Sequence, residues 1–81
     1  MILEVTGADA TILEQWFYEV ATEDMGEPMD RIDEAFHIDY YTDMIEVKIE
    51  VADRNYYWEN TLVSIGAILE DDYRCGVTEI G

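Results

Sequence analysis

The chain alternates apolar and charged side chains most regularly in the stretch 45-IEVKIEV-51. Successive side chains of a β-strand point to opposite faces of the sheet, so this pattern predicts a strand with one apolar face and one charged face. Residues 36–41 alternate in a similar way, and a short turn at residues 42–43 separates the two runs. We therefore predict a β-hairpin that has one face in the core and the other in water.

Helical periodicity precedes this hairpin. Apolar side chains recur at i, i+4 spacing over residues 12–21, which lays one apolar stripe along a helix. Either Asp9 or a Thr11–Glu14 capping box can begin this helix, and the sequence around Pro28 ends it. Residues 29–35 then predict one further helical turn, with Met29 and Ile32 directed inward.

A second helical pattern follows the hairpin, from Asn55 to Leu69. Its apolar residues recur at helical spacing, but Gly66 costs about 1 kcal/mol relative to alanine inside a helix. A pair of strands across Asn60 is therefore the competing interpretation. Short apolar runs at residues 2–6 and 73–80 predict two more strands, the first of them central in the sheet.

The predicted order is strand, helix, strand, strand, helix, strand, in a single acidic domain spanning residues 1–81. Two split βαβ units of this kind form an α+β ferredoxin-like sandwich, in which two helices cover one face of a four-stranded antiparallel sheet. The length of 81 residues suits that architecture.

Charge is the most informative feature of the composition. Twenty Asp and Glu stand against four Lys and Arg, which gives a formal net charge of −16. Two carboxylates about 6 Å apart repel by roughly 0.7 kcal/mol even in water, so many such pairs cost a small domain several kcal/mol. A cost of that size indicates selection for the charge, either by a partner or by a salty environment.

The sign of the charge excludes two classes of partner. Nucleic-acid binding needs Lys and Arg to neutralise phosphates, and anionic membrane surfaces need them for the same reason. The first four residues lack the basic and apolar regions of a signal peptide, and one cysteine cannot form an internal disulfide. We therefore expect a cytoplasmic protein that binds neither nucleic acid nor membrane.

The sequence contains no recognisable catalytic motif. His37, Cys75 and Ser64 are the only residues of their types, and none stands in the context of a catalytic triad. A pairing of His37 with Cys75 through the fold is the one arrangement left open. Calcium-loop and glycine-rich phosphate motifs are absent. We expect a binding protein with no enzymatic activity, no metal site and no cofactor.

The carboxylates themselves are the strongest candidates for a binding surface. Seven acids lie within residues 19–34, opposed only by Arg31, and a second set lies on the hairpin. Tyrosine is enriched at interface hot spots, so exposed tyrosines beside these acids can anchor a contact. The predicted partner-binding residues are Glu19, Glu23, Asp24, Glu27, Asp30, Asp33, Glu34, Asp39, Asp43, Tyr41 and Tyr57.

In size, charge and lack of a catalytic motif, the chain resembles the phage-encoded inhibitors of bacterial defence, namely anti-CRISPR and anti-restriction proteins that mimic DNA. The acids of residues 19–34 and 39–50 carry this resemblance. It implies a viral protein that acts in the cytoplasm of an infected bacterium and occludes the nucleic-acid groove of a CRISPR effector or restriction enzyme. A homodimer formed through exposed aromatics is a further arrangement that the residues allow.

Two other readings of the same sequence remain open. The ferredoxin-like architecture often hosts ligand-sensing regulatory modules, although fold alone does not decide function. An ordinary protein of a halophile is also acidic throughout, and the single lysine fits that reading. A sensor should gain thermal stability with a metabolite, whereas a halophilic protein should need molar salt to fold.

Overall fold

A computed structural model describes residues 1–40 and 44–81. Strands and helices follow one another in the predicted order, and the further helical turn predicted at residues 29–35 is a short helix before the second strand. The elements are β1 (Ile2–Thr6), α1 (Ala10–Glu19), a π-helical segment (Val20–Asp24), α2 (Met29–Ala35), β2 (Phe36–Tyr40), β3 (Glu46–Val51), α3 (Tyr56–Asp71) and β4 (Gly76–Glu79).

The four strands form one antiparallel sheet in the order β2-β3-β1-β4. The central strands β1 and β3 pair along their length, from Ile2 opposite Glu50 to Thr6 opposite Glu46. β4 pairs with the other side of β1, and β2 pairs with the other side of β3. This order is the one that two interlocked split βαβ units produce. The predicted ferredoxin-like α+β sandwich is confirmed, with β1 in a central position.

The core lies between one face of the sheet and the helices. Leu3 and Val5 of β1 are buried, and so are Val47 and Ile49 opposite them on β3. The helices contribute the buried side chains of Leu13, Phe17, Leu62, Ile65 and Leu69. Because side chains alternate along each strand, the residues between these buried ones point to the opposite face of the sheet.

The first helix begins as the sequence predicts but ends differently. The Asp9 carboxylate accepts a hydrogen bond from the backbone N–H of Thr11 at 2.9 Å, so Asp9 is the N-cap. After Glu19 the helix widens into the π-helical segment, in which the Met25 N–H donates to the Val20 carbonyl at 3.0 Å. The single helix predicted from the apolar stripe is thus an α-helix continued by one π-helical turn.

Residues 56–71 form one helix, and the competing pair of strands is wrong. The Asn55 side chain caps this helix by accepting hydrogen bonds from the N–H groups of Tyr57 and Trp58. Gly66 is buried where α3 approaches the sheet. A Cβ at this position would lie 2.9 Å from Leu3 Cδ1 and 3.3 Å from Val77 Cγ1. This close approach of α3 to the sheet explains the presence of Gly66, although glycine weakens the helix locally.

Replacing the α3 cap should destabilise the fold measurably. We expect Asn55→Ala to lower the free energy of unfolding by about 1 kcal/mol, because two N–H groups of the first turn lose their acceptor. Urea unfolding followed by circular dichroism measures the change. The matched control is Asn60→Ala on the exposed side of the same helix. Equal losses in the two variants would contradict the capping role.

Three details of the sequence prediction need correction, and a fourth lies outside the described residues. Met29 is 52 % exposed, because α2 packs through Ile32 and Ala35 in its later turn. Ile45 is 60 % exposed and precedes β3, which begins at Glu46. The closing strand is shorter than expected and starts only at Gly76, after Arg74 adopts a left-handed φ of 58°. The predicted turn at residues 42–43 lies outside the described residues.

Candidate functional site

The structure brings six of the predicted partner-binding acids to the surface on neighbouring elements. They lie at the end of α1, in the π-helical segment and on α2, and all six are exposed. We call this set the acidic face. Its members are Glu19, Glu23, Asp24, Asp30, Asp33 and Glu34.

The π-helical segment directs part of this face outward. Val20 and Ala21 are fully buried and fix one side of the segment against the core. Glu23 and Asp24 follow on its exposed side. Gly26, with a φ of 70°, then turns the chain toward α2. Single π-helical turns occur frequently at functional sites, because they change which side chains a helix presents.

A hydrogen bond connects α1 to α2 within the acidic face. The Tyr18 hydroxyl donates to Asp33 Oδ1 at 2.8 Å. Burial raises the pKa of Tyr18 to about 12, with further contributions from the hydrogen bond to Asp33 and from the negative charges of Asp33 and Glu14. The contact holds Asp33 in place while leaving its second carboxylate oxygen outside this bond.

The raised Tyr18 pKa predicts a loss of stability at alkaline pH. Because the folded pKa of about 12 exceeds the ordinary value of 10.0, folding favours the neutral phenol. This contribution is fully present below pH 10 and disappears as the pH rises toward 12. We expect the urea midpoint to fall over this interval, and to fall less in Tyr18→Phe. Parallel declines in the two proteins would contradict the assignment.

An aromatic pair lies among the first three acids. The rings of Trp16 and Tyr73 are 5.1 Å apart between centroids, with planes tilted by 45°. Burial raises the pKa of Tyr73, and so do the charges of four nearby carboxylates. In decreasing order of effect these are Glu19, Asp24, Glu23 and Asp72. Glu19, Glu23 and Asp24 of the acidic face therefore lie near this partly buried pair of rings, which we call the aromatic platform.

Sequence reasoning missed this platform. Trp16 belongs to the apolar stripe of α1 and was assigned to the core, and Tyr73 was assigned to the closing strand. Trp16 lies three residues before Glu19, and this spacing could have placed its ring at the edge of the acidic side of the helix. Its partner Tyr73 lies 57 positions further along the chain, and no local pattern predicts a contact over that separation.

Glu27 and Tyr57, predicted separately as partner contacts, bind each other. The Tyr57 hydroxyl donates a hydrogen bond to Glu27 Oε2, and only 8 % of Glu27 is exposed. This hydrogen bond raises the pKa of Tyr57, with smaller effects from burial and from the Glu27 charge. The pair ties the loop before α2 to the first turn of α3, so Glu27 is not part of the acidic face.

Arg31, the one cation within residues 19–34, turns toward α3. Its guanidinium carbon lies 5.4 Å from the centre of the Trp58 ring, in cation–π geometry. The two side chains line a small polar pocket of about 160 Å³. Within residues 1–40 and 44–81, none of the six carboxylates of the acidic face forms an ion pair with Lys or Arg. Glu34 of the acidic face lines the same pocket, but it is not within ion-pair distance of Arg31.

The hairpin acids lie on a different surface. Asp39 of β2 is opposite Lys48 of β3, which is in turn opposite Glu4 of β1. Since Leu3 and Val5 on either side of Glu4 face the helices, this row lies on the other face of the sheet, which we call the open face. Asp39 is thus separated from the acidic face by the sheet itself. The predicted contacts Tyr41 and Asp43 lie outside the described residues.

Residues considered for catalysis lie far apart. His37 is on edge strand β2 and Cys75 precedes edge strand β4, three strand spacings of about 4.8 Å away. Cys75 is buried, and burial raises the pKa of its thiol. A His37–Cys75 pair does not form. In the described part of the chain, no three His, Cys, Asp or Glu side chains converge in a way that could hold a metal ion.

Comparison with known proteins assigns no family to this chain. The chain matches no family model, no curated protein and no solved structure. Among the described helices, none has both the length and the apolar character needed to cross a membrane. Fold and surface together define a small ferredoxin-like α+β domain with one strongly acidic helical face.

Proposed function

We propose that this protein is an inhibitor that binds the basic nucleic-acid-binding surface of a bacterial defence protein in place of DNA. A CRISPR effector or a restriction enzyme is the target class, and the site of action is the cytoplasm of an infected bacterium. The proposal rests on one observation above all. Six exposed carboxylates lie on three consecutive elements, and none of them has a Lys or Arg ion-pair partner among the described residues.

The spacing of these acids supports mimicry of a phosphate backbone. Side chains three or four residues apart on a helix stand about 5–6 Å apart at their Cβ atoms. Glu19 and Glu23 have this relation, and so do Asp30 and Glu34. Duplex DNA carries one negative charge per about 1.7 Å of its axis, so a groove that binds it contains closely spaced Lys and Arg. Such a groove would accept fixed carboxylates at helical spacing.

Rigidity supports the same proposal. Val20 and Ala21 are buried beneath the π-helical segment, and the Tyr18–Asp33 hydrogen bond holds α2 to α1. Acids held in this way lose little conformational entropy on binding, which is the advantage of preorganisation. The Trp16–Tyr73 platform adds apolar area beside Glu19, Glu23 and Asp24, and aromatic residues are enriched among interface hot spots.

The pockets of the described residues give less support to a ligand-sensing role. Two pockets have volumes of about 160 and 200 Å³. Sites for drug-sized ligands typically span about 300–1,000 Å³.

Capture from a nuclease-treated bacterial lysate tests the proposal. The immobilised full chain should retain a Lys- and Arg-rich nuclease or CRISPR effector, and excess duplex DNA should release it. The affinity of the complex should also fall as salt rises, because the contact is largely electrostatic. Retention of a protein that DNA does not displace would contradict mimicry, and so would the failure to retain any basic protein.

A further inference from the structure

A groove runs along the outer side of α3 above edge strand β4, away from the acidic face. Its volume is about 200 Å³. We call it the β4 groove. It is lined by Leu3, Val63, Gly66, Ala67, Glu70, Val77 and Glu79.

Small side chains line the helix side of this groove. Ala67 is exposed and contributes little volume there, Val63 is 49 % exposed, and Gly66 allows α3 to approach Leu3 and Val77 closely. On the strand, Val77 and Glu79 point toward the helices, because they lie opposite the buried Val5 and Leu3. The floor of the groove is therefore apolar along its middle.

The edge of the sheet beside the groove has capacity for another strand. β4 is the last strand in the order β2-β3-β1-β4, and it pairs through only one of its two sides with β1. An edge strand of this kind offers backbone donors and acceptors to an extended chain. Side chains of an added strand that point toward the helices would lie under Val63, Ala67 and Glu70.

Carboxylates stand at the two ends of the groove. α3 and β4 run in opposite directions because a tight connection joins them, so Glu70 lies near the start of β4 and Glu79 at its end. Both are exposed. Between them lie the small side chain of Ala67 and the apolar side chain of Val77. The groove is apolar in the middle and negative at its ends.

We propose that the β4 groove binds an extended segment of a partner protein as a fifth strand. The segment carries one apolar side chain flanked at i−2 and i+2 by Lys or Arg. Residues two apart on a strand point to the same face and stand about 6.6–6.8 Å apart. The apolar side chain occupies the middle of the groove, and the two cations reach Glu70 and Glu79. This binding mode is β-augmentation.

Electrostatic repulsion favours the extended segment of a partner protein over a second copy of the chain as the occupant of the groove. Pairing of two β4 strands would bring Glu70 and Glu79 of each copy toward those of the other, in a chain of net charge −16. The site is distinct from the acidic face, and the inference does not depend on the proposed function.

Two synthetic peptides of identical composition test the inference with the full chain. The first, acetyl-Thr-Lys-Thr-Ile-Thr-Lys-Thr-amide, places both lysines on the same face as isoleucine. The second, acetyl-Thr-Thr-Lys-Ile-Lys-Thr-Thr-amide, places them on the opposite face. In NMR titrations of the labelled protein, we expect the first peptide to bind about tenfold more tightly, which is roughly 1.4 kcal/mol. The shifted amide signals should belong to Val63, Ala67, Val77 and Glu79.

Variants separate the groove from general electrostatic attraction. Glu70→Lys with Glu79→Lys should abolish the difference between the peptides, and so should Ala67→Phe, which fills the groove. The matched control, Asp71→Lys with Asp72→Lys, should leave the difference unchanged. Equal affinities of the two peptides for the unmodified protein would overturn the inference. Shifts confined to the acidic face, or a dimer that pairs through β4 in sedimentation, would overturn it as well.

Discussion

Replacing Glu23 and Asp24 together with lysine is expected to weaken binding to the captured defence protein by about a hundredfold, or roughly 2.7 kcal/mol. Both acids are exposed on the π-helical segment, and their charges reach the ring of Tyr73. Each reversal places a positive charge against the Lys and Arg of a nucleic-acid groove. The loss therefore combines a missing attraction with a new repulsion.

The fold should survive this double reversal. The two side chains make no ion pair with Lys or Arg among the described residues, and the net charge of −16 becomes less extreme. Fluorescence or calorimetric titration measures the affinity, and urea unfolding verifies the fold. Glu50→Lys with Asp53→Lys makes the same change in charge at exposed positions outside the acidic face. If both double variants weaken binding equally, the acidic face is not the interface.

Glu27 is unsuitable for such a test, although its place within residues 19–34 recommended it. A lysine there would remove the acceptor of the Tyr57 hydroxyl in a buried position. The hydrogen bond that ties the loop before α2 to the first turn of α3 would then be lost. A binding defect in that variant would therefore report damage to the loop before α2 as much as a lost contact.

The fold was largely predictable from the sequence, because the spacing of apolar residues that identifies each element is a local property. The alternation of Val47, Ile49 and Val51 identifies β3, and Asp9 and Asn55 begin the two long helices as caps. Strand order followed from the sequence of elements, since few topologies accommodate two split βαβ units. The differences between the predicted and the observed structure occur at the ends of elements. Met29 and Ile45 fit the apolar pattern of their segments but lie beyond the packed layer.

The candidate site was accessible only in part, and the missing part depends on long-range contacts. Charge along residues 19–34 predicts an acidic surface, but not which acids are exposed. Glu27 is buried because Tyr57, thirty residues later in the chain, approaches it. Arg31 is drawn away by the ring of Trp58, which lies on α3. Neither contact leaves a signal in the local sequence.

The second large effect is expected in the core. Phe17→Ala should lower the free energy of unfolding by about 3–5 kcal/mol, the usual cost of removing a buried aromatic ring. Phe17 is fully buried, and its ring meets that of Phe36 edge to face at 5.4 Å. Phe36 in turn contacts Trp58 at 5.6 Å. The ring of Phe17 therefore begins a chain of contacts that joins α1 through β2 to α3.

A loss of this size matters because the domain is small. At about 0.05–0.15 kcal/mol per residue, a chain of 81 residues has a total stability of roughly 4–12 kcal/mol. We expect Phe17→Ala to unfold at a much lower urea concentration than the unmodified protein, with loss of the near-ultraviolet circular dichroism that packed aromatic rings produce. Tyr56→Ala is the matched control, because Tyr56 is 79 % exposed at the start of α3 and its removal should cost less than about 0.5 kcal/mol. If urea unfolding places Phe17→Ala within about 1 kcal/mol of the unmodified protein, the helices are not held to the sheet through this aromatic cluster, and the rigidity ascribed to the acidic face must have another origin.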